Sequence, residues 1–292
     1  MPAPVRARAE QIIGGGRVVE ARSQPGGFSA GSADRVRTES GRRAFVKAVT
    51  PALNQRSAEL ARQEMRITAA LPEHAPVPRM LGGFDTGEWV VLILEEIAGA
   101  HPRTPWVDVE IDAAVAALRE LADALTPAPL TDLPTTFEQL ADDFCGWDKI
   151  AEAPPPGLDR WAADHLPELR RAAARGLAAL RGGETLTHCD IRDDNLLVRE
   201  DGRVVVVDWP WGAVGPDWLD RLLLGLHIVV AGGDPARALA GIDPQVVKDV
   251  GAGVTGLFEH VWRLPDPPGI PTVRAFQRVQ AEALRPWLRS RL

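Results

Sequence analysis

The chain has 292 residues, 45 % of them apolar and 25 % charged, with a formal net charge of −7. That length and balance suit a soluble globular protein with a sizeable core, in one large domain or two lobes. Cys145 and Cys189 are the only cysteines and stand far apart, so neither a disulfide framework nor a zinc site is indicated. The opening MPAPVRARAEQIIGGG has no signal-like apolar run and no later segment reaches roughly 18 uncharged apolar residues, so a cytoplasmic protein without a membrane partner is expected.

Charge is uneven along the chain. Residues 1–100 carry 13 basic and 11 acidic side chains, residues 101–273 carry 15 and 28, and the last 19 residues hold five Arg and one Glu. So acidic a middle disfavours nucleic acid as a partner. Thirty Arg stand against three Lys, which makes each Lys informative.

In chain order, residues 17 to 50 read as a small antiparallel sheet. Arg17 to Glu20, Asp34 to Arg37 and Ala44 to Val49 are strands, separated by a glycine-rich turn at Gly26 to Gly31, which contains Gly27 and Ser29, and by a turn at Ser40-Gly41. Lys47 sits inside the last, apolar strand, where a compact ammonium can touch two phosphates and also pair with a carboxylate. A helix is expected from Ser57 to Leu71 on its apolar stripe, stopped by Pro72, and it carries Glu59 and Glu64 as possible partners of Lys47. Pro76 to Arg79 is a turn, and Trp89 to Leu94 is an apolar strand ending in Glu95-Glu96-Ile97. From about residue 100 the chain turns helical: Asp112 to Leu125, Phe137 to Phe144, Leu158 to Leu180, Asp217 to Val230, Pro244 to Trp262 and Val273 to Leu292, with Pro-rich breaks between. The expectation is α+β, with a small N-lobe of antiparallel sheet and one helix over residues 1–98 and a larger, mostly helical C-lobe over residues 99–292.

Residues 184–220, ETLTHCDIRDDNLLVREDGRVVVVDWPWGAVGPDWLDR, hold the densest set of chemistry-bearing side chains. Short apolar strands at Thr185-Leu186 and Leu196 to Val198 flank a polar loop, and the turn Glu200-Asp201-Gly202 leads to Val204 to Val207. The loop presents Asp190 and Asn195, and Asp208 stands where the last strand ends. Phosphoryl transfer needs a hard cation for the reacting phosphate and an acceptor to orient the attacking hydroxyl. Asp190 would be the base or orienter, and Asn195 and Asp208 would hold Mg²⁺ through their oxygens, in the order of a kinase catalytic loop followed by a metal-binding Asp.

The residues His188, Asp190, Asn195, Asp208 and Asp220 together resemble the aminoglycoside phosphotransferase family, bacterial small-molecule kinases with a two-lobed protein-kinase-like fold. The resemblance implies that ATP binds between the lobes with Lys47 on its α- and β-phosphates, Glu64 as the partner of Lys47, and the Glu95 carbonyl and Ile97 amide at the adenine edge. It also makes Asp220 a structural partner of the catalytic loop, although a helix-start Asp commonly caps. Arg192 could contact the γ-phosphate or pair with Asp193 or Asp194. Cys189 replaces a Gly common after the family's His, as a reactive thiol or a packed one. Only eleven residues separate Asp208 from Asp220, too few for the activation segment of a protein kinase, which favours a small-molecule acceptor.

The acceptor is open at this level. The acidic excess suggests a cation such as an aminoglycoside, with Asp142, Asp143, Asp148 and Glu259 as contacts, or else a solvated face. Arg285, Arg289 and Arg291 near the C-terminus argue against the aminoglycoside. A sugar or amino-alcohol kinase, and a nucleotide-binding regulator without catalysis, are the alternatives.

Overall fold

The computed structural model describes residues 1–24 and 31–292. Their contacts divide into two units, one of residues 1–102, 193–212 and 268–270 and the other of residues 103–192, 213–267 and 271–292. The architecture is mixed, with an antiparallel N-terminal sheet and a helical C-terminal part.

In the first unit, five strands run in the spatial order Val18–Ser23, Gly31–Thr38, Arg43–Val49, Val90–Leu94, Met80–Asp85, all antiparallel. The central strand shows why the sheet has two covered faces. Successive strand side chains alternate in direction, so Ala44, Val46 and Ala48 pack with Ala9 and Ile13 of the helix Ala3–Ile13. On the other face Val49 meets Ala58 of the helix Gln55–Thr68. Lys47 shares this second face. Asn54 caps that helix by accepting the Ser57 amide at 2.9 Å, and Glu64 lies on its buried side. The N-terminal helix and the strand Met80–Asp85 add to the expected elements; neither has a strong apolar periodicity in the sequence.

The same unit holds a hairpin, Leu196–Arg199 with Val204–Val206, joined by Gly99–Ala100 as a third strand. Gly202 turns the hairpin at φ +81°, a conformation that costs other residues energy. Gly99 lies so close to the hairpin that a Cβ there would come 2.8 Å from the Val198 carbonyl oxygen.

The second unit packs helices around Trp147, Leu169, Leu180, Leu219, Leu222, Val250 and Leu284. Its long helix Pro244–Val261 is lined with Gly251, Gly253 and Gly256, and a Cβ at these positions would meet the rings of Trp287, Phe144 and Trp147 at 2.6, 2.2 and 2.5 Å. The missing side chains let three aromatic rings lie directly on the helix backbone. Two expected helices divide differently. The span Leu158 to Leu180 is two helices, Arg160–Asp164 and Leu166–Ala179, because Pro167 cannot donate into a continuing helix. The span Phe137 to Phe144 holds only the helix Thr136–Gln139, started by the Thr135–Glu138 capping box, then a 3₁₀ turn Asp143–Cys145 and the helix Gly146–Glu152. Among the described residues no helix is long and apolar enough to cross a membrane.

Candidate active site

In the first unit Lys47 is the centre of a charged triad. Its Nζ lies 2.6 Å from Glu64 Oε1 and also bonds Asp208 Oδ1. The Lys47 and Glu64 side chains are 23 % and 6 % exposed. Burial works against the ammonium, but Asp208 and Glu64 outweigh it and raise its pKa above the ordinary value. Burial, joined by the Asp208 charge, pushes Glu64 up, against the pull of Lys47 and of the Trp209 amide. Glu59, the other candidate, pairs with Arg56 at 3.5 Å on the surface.

Asn195 and Asp208 flank one end of the hairpin. The Val207 amide donates to the Asn195 carbonyl at 2.9 Å, so the residue beside Asp208 is paired with Asn195 across the ladder. Asp208 is held at φ +71°, a left-handed conformation uncommon for a residue with a side chain. A buried amide oxygen and a carboxylate are hard donors, and Mg²⁺ is usually held by one or two such groups, with water and phosphate oxygens completing its shell. The pair therefore fits that ion.

After Leu94 the chain leaves the sheet. The Glu95 amide donates to the Arg79 carbonyl at 2.8 Å, and Ile97 is buried in an apolar cluster with Leu197, Val205 and Val207. Between them Glu96, which the sequence did not single out, anchors the segment. Its carboxylate takes two bonds from Arg43, at 2.9 and 3.1 Å, and lies 3.5 Å from Arg35. The signal was an acidic residue at a strand end facing an arginine-rich hairpin. Gly27 and Ser29 lie outside the described residues.

The second unit holds the other half of the loop, and the chain passes from one unit to the other between Arg192 and Asp193. Here Asp220 is the organiser. It is 6 % exposed and accepts the amides of His188 and Cys189 at 2.8 and 3.0 Å. It does not cap its helix Leu219–Val230, whose N-cap is Trp218. Burial pushes the Asp220 carboxyl up, against His188 and the two amides. His188 is fully buried and its Nδ1 accepts the Asp190 amide at 3.2 Å.

Arg192 pairs with Asp190 itself: Nη1 lies 2.6 Å from one carboxylate oxygen and 2.8 Å from the other. The guanidinium also stands 5.4 Å from the ring centroid of Phe276. Cys189 is a packed residue at φ +66°, which explains physically why glycine suits that position. Burial first, then Asp220, drives its thiol far above the ordinary value.

The four carboxylates suggested as acceptor contacts divide. Asp142 pairs with Lys149 at 2.7 Å and Asp148 with Arg170 at 2.5 Å. Glu259 is fully buried between Arg285 at 2.5 Å and Arg263 at 2.8 Å. Asp143 has no ion pair among the described residues; burial and the neighbouring Asp142 raise its pKa to about 6.

A sheet-borne lysine paired to a helix glutamate, followed by a catalytic-type loop and a metal-type aspartate, is the layout of the kinase-like phosphotransferases, and solved structures share the fold. An aminoglycoside phosphotransferase from Alicyclobacillus acidocaldarius superposes with a TM-score of 0.59 at 15 % identity, covering 100 % of this chain and 95 % of that one. The GDP and kanamycin complex of APH(2")-IIia gives 0.68 at 14 % identity, with 99 % and 98 % covered. The macrolide 2'-phosphotransferase MphH from Brachybacterium faecium gives 0.57 at 16 % identity, with 98 % and 96 % covered. No curated protein matches the sequence. The model of the phosphotransferase enzyme family matches residues 27–241, well over half of the chain, and the chain belongs to that family.

Proposed function

We propose that the protein transfers the γ-phosphate of ATP to a hydroxyl of a small molecule. The observation that carries this reading is the Lys47–Glu64–Asp208 triad, in the unit that also holds Asn195. In that assignment residues 1–98 form the nucleotide-binding lobe and residues 99–292 supply the catalytic loop and the acceptor-binding helices. Lys47 orients the α- and β-phosphates while Glu64 holds it in place. The Glu95 carbonyl and Ile97 amide meet the adenine edge, and Gly27 and Ser29 are the remaining candidates for nucleotide contact. Asn195 and Asp208 would hold Mg²⁺, which when bound neutralises phosphate charge.

Asp190 accepts the hydrogen bond of the attacking hydroxyl, and Arg192 keeps that carboxylate placed and compensated until the acceptor arrives. Most of the rate then comes from positioning and charge complementarity rather than covalent chemistry. The presence of Lys47, Asp190, Asn195 and Asp208 together supports an enzyme over an inactive nucleotide-binding regulator.

The fold neighbours include a kanamycin complex and a macrolide 2'-phosphotransferase, which supports an antibiotic-type acceptor. The cationic form of that reading rests on Asp143, since Asp142, Asp148 and Glu259 are already paired. A sugar or amino alcohol is the alternative acceptor. A coupled ADP-release screen over aminoglycosides, macrolides, sugars and amino alcohols tests the reading. Asp190→Asn should cut turnover by about 10²–10⁴-fold while ATP affinity stays near wild type; retention of most turnover would remove Asp190 from its role.

A further inference from the structure

We infer that Glu96, clamped by Arg43 and Arg35, is a positioning residue that makes the nucleotide site take adenine over guanine; the inference rests on the phosphotransfer reading above. All the groups concerned belong to the first unit. Residues 95–97 leave the sheet after the strand Val90–Leu94. Among the described residues neither the Glu95 carbonyl nor the Ile97 amide takes a hydrogen bond, although Ile97 is buried against Leu197, Val205 and Val207. Buried backbone groups are nearly always paired, so an open acceptor beside an open donor asks for a ligand that carries the opposite pair. Adenine carries it, in its N6 amine and its N1 lone pair. Guanine presents the reverse, O6 toward the carbonyl and N1–H toward the amide, and both contacts turn repulsive. Rejection of that kind requires a backbone that cannot shift to suit the wrong base. Glu96 stands between the two groups, and its side chain supplies the constraint. Arg43 donates from Nε to one carboxylate oxygen at 2.9 Å and from Nη2 to the other at 3.1 Å, a fork that fixes orientation as well as distance. Arg35 adds a contact at 3.5 Å from the neighbouring strand, and the Glu96 side chain is only 6 % exposed. The clamp therefore ties residues 95–97 to two adjacent strands of the sheet. Arg43 and Lys47 lie on one strand, four residues apart, and so share its face. The strand that places the lysine for the phosphates also fixes where the backbone meets the base.

Calorimetry with ATP, GTP and inorganic tripolyphosphate, each with Mg²⁺, tests the inference, tripolyphosphate having no base to be read. The wild type should bind ATP about tenfold or more tightly than GTP. Glu96→Ala should lower ATP affinity about tenfold, leave tripolyphosphate affinity unchanged and bring ATP and GTP close to equality. Arg43→Gln removes the fork from an exposed side chain without touching residues 95–97, so it should lose the same preference even where Glu96→Ala fails to fold. A wild type that binds ATP and GTP alike, or an Arg43→Gln protein that keeps the full preference for ATP, would overturn the inference. A matching loss for all three compounds would do so too, because it marks a merely structural role. If the wild type binds neither ATP nor tripolyphosphate, the phosphotransfer reading itself fails, whereas tight ATP binding with an unaltered preference in both variants removes only the clamp.

Discussion

Replacing Lys47 with Met isolates the electrostatics of the triad. Glu64 and Asp208 both bond Lys47 Nζ, Glu64 at 2.6 Å. Their carboxylates are then within about 5 Å of each other, and without the ammonium their repulsion is about 3 kcal/mol at an effective dielectric of about 20. Asp208 is 36 % exposed, so screening by solvent lowers the expected loss of stability to about 2 kcal/mol at neutral pH. In the wild type the raised Lys47 pKa contributes fully below its ordinary 10.5 and is lost only above the raised value. In the variant Glu64 is a buried acid beside an anion, and its pKa rises further. An acid with a raised pKa stabilises the fold below its ordinary 4.5 and loses that contribution as pH rises through the raised value. The deficit of Lys47→Met should therefore be largest near neutral pH and shrink toward about pH 5 as Glu64 takes up a proton. Urea unfolding at both pH values measures it, and adding Glu64→Gln should recover most of the loss at neutral pH. A deficit that is absent, or equal at the two pH values, would refute the reasoning.

Asp220→Ala leaves two buried amides without an acceptor and should cost about 2–4 kcal/mol, read by urea unfolding; unchanged stability would show that the loop holds itself. Gly256→Ala gains roughly 1 kcal/mol of helix propensity but drives a Cβ to 2.5 Å from the Trp147 ring, so a net loss of about 1–3 kcal/mol is expected, and a rise in Tm would contradict the packing. In a Cys145→Ser background, Cys189 should resist a thiol reagent near neutral pH until the protein unfolds, because burial keeps the thiolate scarce; prompt reaction of the native protein counts against this. Asp208→Ala should abolish the Mg²⁺ dependence of ATP binding in calorimetry, and equal binding with and without metal in the wild type would remove Asp208 from the metal site.

Much of the fold was legible because its signals are local. Alternation in Ala44 to Val49, the stripe ending at Pro72 and the Val-rich hairpin each carry their own period and stop. The pairing of Lys47 with Glu64 rather than Glu59 depended on which helix face the sheet covers, and only the resemblance pointed to it. The break at Pro167 was visible in principle, but a strong apolar pattern on both sides masked it. Long-range pairings had no such signature. Nothing near Glu259 in the chain announces Arg285, and nothing near Arg192 announces Phe276, so these contacts became readable only in three dimensions.

The first unit is assembled from pieces distant in the chain, and this has a consequence for biosynthesis. Lys47 reaches its partner Asp208 across 161 positions, and Gly99–Ala100 finds its neighbouring strand only at Val198 and Arg199. A nascent chain that has emerged to Pro102 can form the five-stranded sheet and join Lys47 to Glu64, yet it must wait for residues up to Gly212 to gain the hairpin and Asp208, and for Pro268–Ile270 to complete the unit. The wait for the hairpin spans 110 residues, or roughly 5–20 s at typical rates of synthesis. Throughout it, the backbone at Gly99–Ala100 and the charge of Lys47 lack their later partners. The N-terminal segment is therefore no interchangeable cassette: transplanting residues 1–102 into a relative requires the segment 193–212 to travel with it, or the lysine arrives without its aspartate.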